Sequence, residues 1–179
     1  REGMTARRII NKKSIENAIR LNAAVGGSTN AILHLLAIAY EADVELNVDT
    51  FEELSRGTPL IARMNPAAAE NVPDFHFAGG VPAVMKEILP LLNKEALSVN
   101  GKTVAENVAD AKIMNPKMIK PLAQPWAAGG GLAVLRGNLA PDTCITKPAA
   151  IRSEIHQFTG KAHCFDSEEA ANQAILDRK

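Results

Sequence analysis

The amino-acid sequence predicts an α/β fold in which a helix-rich N-terminal part, residues 1–111, is followed by a β-rich part, residues 129–179. In the first part, apolar residues recur at the three- to four-residue spacing of amphipathic helices. In the second part, short apolar runs alternate with turn residues, as in strands joined by short connections. Three prolines and no sustained periodicity predict that residues 112–128 form a linker between the two parts.

The first two predicted helices are separated by a pair of glycines at positions 26–27. We expect Ser14 to cap the first helix, which runs to about Ala24, because its hydroxyl can accept a hydrogen bond from the first turn. One of residues 28–30 then caps the second helix. That helix is apolar on more than one face, so we expect it to be buried on most sides.

Two further helices are predicted to begin with a capping box, in which two side chains three residues apart each accept a hydrogen bond from the other's amide group. Asp49 and Glu52 predict a short helix that is closed by the next glycine. Thr103 and Glu106 predict another, which continues to about Ala111.

Between these two helices the sequence predicts an extended segment at residues 58–66 and a helix that follows the glycines at 79–80. Pro82 suits the first turn of that helix, where a missing amide hydrogen is tolerated, and Pro90 should end or kink it. An Asn-Gly turn at 100–101 is expected to follow a short strand.

The C-terminal part is predicted to contain strands within residues 131–137 and 143–149, with a turn between them, and a third strand at 161–165. Ser167 is expected to cap a final helix with an acidic first turn that runs to the C-terminus at Lys179.

The composition excludes several classes of function. The 179 residues are 46% hydrophobic and 22% charged, as in ordinary globular proteins, and 20 basic residues balance 20 acidic ones. The formal net charge is therefore zero, so no overall positive charge attracts nucleic acid or an anionic membrane. No apolar run reaches the roughly 20 residues that span a bilayer, and the charged start lacks the apolar stretch of a signal peptide. We therefore expect a cytoplasmic small-molecule enzyme or part of an assembly.

The cysteines and histidines lack the spacing of a metal site. Cys144 and Cys164 are expected to be buried thiols of strands, and His34 a histidine that is hydrogen-bonded in the core. An alternative metal site would need folding to bring His156 and His163 to the cysteines.

The start of the second helix is the best candidate for a binding site. Its glycines allow a ligand to approach the backbone, and free amide groups at 28–31 at the positive helix end suit a carboxylate or phosphate. The alternative is an ordinary helix cap that binds nothing. Glycines also precede a helix at 79–80 and a strand at 129–131, but none of the three stretches matches a nucleotide-binding motif. The candidate substrate-binding residues are Gly27, Ser28, Thr29 and Asn30.

Five segments resemble, in order and spacing, the family of dihydroxy-acid and 6-phosphogluconate dehydratases. They lie between residues 23 and 150 and read GGSTNAILHLLAIAYEA, FAGGVPAVMKEIL, VNGKTVAENVADA, GGGLAVLRGNLAPD and KPAA. The resemblance implies that residues 1–111 are the end of an αβα domain and that residues 129–179 begin a β-barrel-like swivelling domain. The KPAA segment is more similar to the sugar-acid dehydratases of the family.

The resemblance implies a hydro-lyase, a homo-oligomer (dimer or tetramer), that converts a 2,3-dihydroxy acid or an aldonic acid into a 2-keto-3-deoxy acid. Such enzymes use an iron–sulfur cluster and magnesium, and a serine takes the C2 proton. The family's cysteine ligands and carbamylated lysine would precede Arg1, and the serine would follow Lys179. The resemblance therefore implies an internal fragment, inactive alone, with no catalytic or metal-binding residue and no bound cofactor. The alternative is a non-catalytic binding or assembly module that shares the fold.

Overall fold

The computed structural model describes residues 3–151 and 155–178, and in this part the chain is helix-rich with a small antiparallel sheet. Short 3-10 turns occur at Leu89–Leu91 and Pro148–Ala150. Its α-helices are α1 (Ala6–Ile9), α2 (Lys12–Ala24), α3 (Asn30–Glu41), α4 (Val48–Arg56), α5 (Val72–Phe77), α6 (Gly80–Glu87), α7 (Val104–Val108) and α8 (Glu168–Leu176). Its strands are β1 (Ala133–Leu135) and β2 (Cys144–Thr146), which pair with Val134 opposite Ile145.

Two hydrophobic clusters meet at α2. One packs the C-terminal end of α2 against α5, α6 and the extended segment that includes Ile61, which is fully buried. The other packs the middle of α2 against α3 and α4 and includes Leu132 beside β1. Because α2 contributes to both clusters, its C-terminal end and the loop that follows are held from two sides.

The extended segment predicted at residues 58–66 is found at residues 59–64, between a bend at 58 and a turn at 65–66, and it lies against the end of α2. The amide groups of Ile61 and Ala62 both donate to the carbonyl of Ala24, at 2.9 and 3.0 Å. On its other side the segment forms single antiparallel bridges, Leu60 with Ala127 and Ala62 with Ile119.

Two predicted N-caps are wrong by two or three residues. Asn11, not Ser14, caps α2, and Ser14 lies at the third helical position, where its hydroxyl accepts from the Asn11 amide at 3.0 Å. Asn47, not Asp49, caps α4, and its side chain accepts from the Thr50 amide at 3.0 Å. In both cases an asparagine just upstream has extended backbone, which lets its short side chain reach the first turn.

The second predicted capping box, at Thr103 and Glu106, and both helix prolines are confirmed. Thr103 accepts from the Glu106 amide at 3.2 Å, although α7 ends at Val108, before the predicted Ala111. Pro82 lies in the first turn of α6, and Pro90 lies in the 3-10 turn that follows.

The prediction that the second helix is buried on most sides is wrong. Ile32 and Ala39 of α3 are buried, but Leu33 and Tyr40 on its other side are 67% and 81% exposed. His34 is also exposed, so it is not the predicted core histidine. The reason is that only one side of α3 contributes to the cluster with α2 and α4.

The C-terminal part departs from prediction in three ways. Strands β1 and β2 are confirmed, but residues 161–165 form no strand. Cys144 and Cys164 are both exposed, because β2 belongs to a two-stranded sheet that leaves its first residue uncovered and the second cysteine lies in an irregular exposed stretch. Ser167 caps α8 as predicted and accepts from the Ala170 amide at 3.2 Å, but the helix ends at Leu176, before the predicted end at Lys179, which lies outside the described residues.

Residues 112–128 form neither helix nor strand, yet they are packed. Met118 and Ile119 are buried in the first hydrophobic cluster, and the Lys120 amide donates to the carbonyl of Ile61 at 2.7 Å. The short helix α5, which the sequence analysis did not predict, begins where Asp74 accepts from the Asn71 amide at 2.8 Å. The boundary between two domains and the barrel-like nature of the second remain predictions.

Candidate functional site

The connection between α2 and α3 is a tight turn that requires glycine. Gly26 has a φ of 56°, in the left-handed region that L-residues with a side chain rarely adopt. The amide of Gly26 donates to Ala23 at 3.2 Å and that of Gly27 to Asn22 at 2.8 Å, which ends α2. The chain then turns directly into α3, so the start of α3 is fixed to the end of α2.

A second glycine stretch, at residues 129–131, lies against this turn. A Cβ atom on Gly131 would be 2.4 Å from the Gly26 Cα, and one on Gly130 would be 2.7 Å from the Ala23 Cβ. The Gly131 amide donates to the Ala23 carbonyl at 3.0 Å. The backbones at Gly26 and Gly131 touch because neither residue has a side chain. This contact joins the segment that leads into β1 to the turn that leads into α3.

Helix α4 anchors the same glycine stretch. The Ser55 carbonyl accepts from the Gly130 amide at 2.9 Å, and its buried hydroxyl donates to the Leu132 carbonyl at 2.7 Å. Just beyond β1, Arg136 forms ion pairs with Asp49 and Glu52 of α4. These carboxylates raise the pKa of the Arg136 guanidinium, the Glu52 hydrogen bond most of all. The turn at Gly26 is therefore bordered by α2, α4 and β1.

Fewer amide groups are free at the start of α3 than the sequence analysis predicted. The Asn30 amide donates to the Ser28 hydroxyl at 3.2 Å, and the Ala31 amide to the Ser28 carbonyl at 3.2 Å. The amide groups of Ser28 and Thr29 donate to no acceptor within residues 3–151 and 155–178. Thr29 has helical backbone and its side chain makes no cap. The tip thus offers two adjacent backbone donors.

Sequence reasoning missed two side chains that shape this tip. Asn22 donates through Nδ2 to the Ser28 carbonyl at 3.4 Å, and its Oδ1 lies 1.9 Å from where a Cβ on Gly27 would be. Leu60 packs against both Gly26 and Gly131 through its Cδ1. The contact of Asn22 could have been predicted from its position one helical turn before the loop. The contact of Leu60 could not, because it joins segments that are distant in the sequence.

The glycines at 79–80 belong to a different place in the fold. Gly79 has a φ of 122°, and a Cβ on it would be 2.5 Å from the Lys112 carbonyl oxygen. This pair allows the close approach of the segment after α7, because the Met114 amide donates to the Ala78 carbonyl at 2.8 Å. The structure therefore brings together two of the three glycine stretches.

Within the described residues, no group of three or more histidine, cysteine, aspartate or glutamate side chains could hold a metal ion. Cys144 and Cys164, with His156 and His163, do not form such a group. These residues do not fit the iron–sulfur cluster or magnesium that the family resemblance implies. No helix in the part of the chain that the structure describes is both long and apolar enough to cross a membrane.

Comparison with known proteins gives the same family over the two parts of the chain. The family model described as dihydroxy-acid/6-phosphogluconate dehydratase N-terminal matches residues 1–107, and its C-terminal counterpart matches residues 117–179.

Curated relatives align with nearly the whole chain. The dihydroxy-acid dehydratase of Ignicoccus hospitalis is 46% identical over 97% of this chain, and that of Methanococcoides burtonii is 46% identical over 98%. The dihydroxy-acid dehydratase of Clostridium novyi is 43% identical over 97% of the chain. In each case the chain spans 32% of the length of the relative.

Proposed function

Because the chain belongs to the dihydroxy-acid/6-phosphogluconate dehydratase family, we propose that it acts within a hydro-lyase. The reaction removes water from a 2,3-dihydroxy acid or an aldonic acid and leaves a 2-keto-3-deoxy acid. The support is the family match, since the relatives are named dihydroxy-acid dehydratases. The chain corresponds to a third of these relatives, so activity is proposed for the whole protein. A cytoplasmic location and a homo-oligomer, dimer or tetramer, complete the proposal and depend on the resemblance alone.

The observation that carries the proposed role of this chain is the pair of free amide groups at the start of α3. Ser28 and Thr29 lie at the positive end of a 12-residue helix, where a carboxylate is stabilised both by hydrogen bonds and by the helix dipole. We assign these two groups to the carboxylate of the substrate. Gly27 and Asn30 complete the proposed site, because Gly27 leaves room for the Asn22 side chain that contacts the loop and Asn30 starts the helix.

These donors would contribute to chemistry as well as to binding. Removal of the C2 proton places additional negative charge on the substrate carboxylate, and preorganised amide donors stabilise charge that develops in a transition state. The turn at Gly26 is bordered by α2, α4 and β1, so the donors need little reorganisation during the reaction.

The iron–sulfur cluster and magnesium implied by the family would be held by other parts of the whole protein. When bound, they would supply Lewis-acid assistance for departure of the C3 hydroxyl and neutralise charge on the substrate. Because the described residues do not fit either group, no step of this chain is assigned to them.

The substrate class can be decided by a direct comparison. The names of the relatives favour a dihydroxy acid, whereas the KPAA segment at 147–150 favours a sugar acid. The whole protein should be assayed with a branched-chain 2,3-dihydroxy acid and with a panel of aldonic acids, and the 2-keto acid product measured. Turnover of either class supports the hydro-lyase. Absence of product from both classes with a fully loaded enzyme would favour the non-catalytic module.

The role of the tip is tested with Ser28→Ala and Thr29→Ala in the same assay. If only the backbone amides contact the substrate, both variants keep kcat/KM within about threefold of the parent, because each retains its amide hydrogen. A larger loss of kcat/KM in Ser28→Ala alone would show that the Ser28 hydroxyl has a role beyond accepting the hydrogen bond from the Asn30 amide.

A further inference from the structure

Arg63, Lys120 and Trp126 form a cationic cluster apart from the tip of α3. The Arg63 guanidinium carbon lies 3.7 Å from the centroid of the Trp126 ring, and the Lys120 ammonium nitrogen lies 4.7 Å from the same centroid. Both cations are attracted by the negative face of the indole. These distances keep the two charges within about 10 Å of each other, which is the Debye length at 0.1 M salt.

Backbone hydrogen bonds hold Trp126 and Lys120 against the segment that carries Arg63. The Trp126 amide donates to the Leu60 carbonyl at 2.8 Å, and the Lys120 amide donates to the Ile61 carbonyl at 2.7 Å. The Trp126 indole nitrogen donates to the Met118 carbonyl at 3.5 Å. Arg63 therefore emerges from an extended segment that is paired with the two segments carrying the other residues. The cluster is built by the fold and does not depend on chance contacts of surface side chains.

The cluster lacks the negative charge that would balance it. Among the described residues, no carboxylate lies within 4.0 Å of Arg63 or Lys120, although Arg7, Arg56 and Arg136 all have acidic partners. In addition, the Nε of Arg63 is buried and has no hydrogen-bond acceptor. A buried donor without an acceptor is costly, and two unpaired cations repel each other. Both features indicate that an acceptor with negative charge belongs here.

We propose that Arg63 and Lys120, held on Trp126, form a binding site for a small oxyanion, either a phosphate group or a carboxylate. Arginine donates two parallel hydrogen bonds to either group, and lysine adds a point charge. The ring contact restricts the arginine side chain, so less entropy is lost when the anion binds. This site does not depend on the dehydratase function, because it includes none of the residues at the tip of α3.

The chain offers its own probe, because Trp126 is its single tryptophan. Trp126 fluorescence should be followed while inorganic phosphate or acetate is added at pH 7, with sodium chloride at matched ionic strength as the reference. A saturable change with phosphate, acetate or both, beyond the chloride effect, supports the site. The anion with the lower Kd identifies the phosphate or the carboxylate class. Equal responses to all three salts would overturn the proposal.

Variants separate specific binding from a general salt effect. Arg63→Gln should weaken anion binding at least tenfold, while Arg136→Gln, the same change at an arginine that already has partners, should leave it unchanged. Each variant is first checked for an unaltered far-ultraviolet circular dichroism spectrum. If Arg63→Gln does not fold, Lys120→Gln serves instead, with a weaker but measurable loss expected. Retention of full affinity in the folded variant refutes the assignment.

Discussion

The contact between Gly26 and Gly131 gives a sharp test of how the tip of α3 is held. Replacing Gly131 with alanine places a Cβ 2.4 Å from the Gly26 Cα, 3.2 Å from the Gly26 nitrogen and 3.3 Å from a methyl carbon of Leu60. Two of these atoms are backbone, so relief requires the turn or β1 to move. Overpacking of this kind costs about 1–3 kcal/mol. For a chain of this size each kcal/mol lowers Tm by about 2–4 °C.

The matched control is Gly137→Ala, because nothing lies within 4 Å of a Cβ there. Alanine at such a position restricts the unfolded chain and is neutral or stabilising by up to about 1 kcal/mol. Thermal unfolding followed by circular dichroism should therefore rank Gly131→Ala below the parent and Gly137→Ala level with it or above. If both variants melt at the same temperature, the glycine contact does not hold the turn.

Two further predictions concern buried and surface hydrogen bonds. Asn17 is buried and exchanges hydrogen bonds with the Asn93 backbone at 2.7 and 3.0 Å. Asn17→Ala should therefore lower the free energy of unfolding, measured in urea, by about 1–3 kcal/mol. The control Asn138→Ala, at an exposed position, should leave the free energy of unfolding unchanged. Hydrogen bonds from the Thr103 amide and hydroxyl lower the pKa of Glu106. A carboxyl group with a lowered folded-state pKa stabilises the protein above its unfolded pKa, and this contribution is lost as pH falls through the folded value. The parent should therefore exceed Glu106→Gln in stability at pH 7, and the difference should vanish in acid; a difference independent of pH would contradict this.

Local chemistry in the sequence predicted much of the fold. The box at Thr103, the prolines at 82 and 90 and the glycines at 26–27 each act within one turn of chain, so their effects are visible without tertiary structure. The wrong caps at Ser14 and Asp49 arose because an asparagine a few residues earlier competes for the same role.

What the sequence could not supply depends on distant contacts. That the glycines at 26–27 and 130–131 belong to one site follows only from their meeting in space, as does the position of Leu60 between them. Exposure of Leu33 was likewise mispredicted, because apolar periodicity indicates which residues could be buried but not which neighbours are present to cover them.

Thr29→Pro tests most directly whether the backbone amides at the start of α3 bind the substrate carboxylate. Thr29 has a φ of −61°, which lies in the range that proline adopts, so the substitution removes the amide hydrogen without requiring a new φ at this position. Loss of a hydrogen bond to a charged group costs about 1.5–3 kcal/mol, or about 10- to 150-fold in kcat/KM. Measured in the whole enzyme, Thr29→Pro should show this loss while Thr29→Ala does not. Equal kcat/KM for the two variants, with unchanged Tm, would contradict the account.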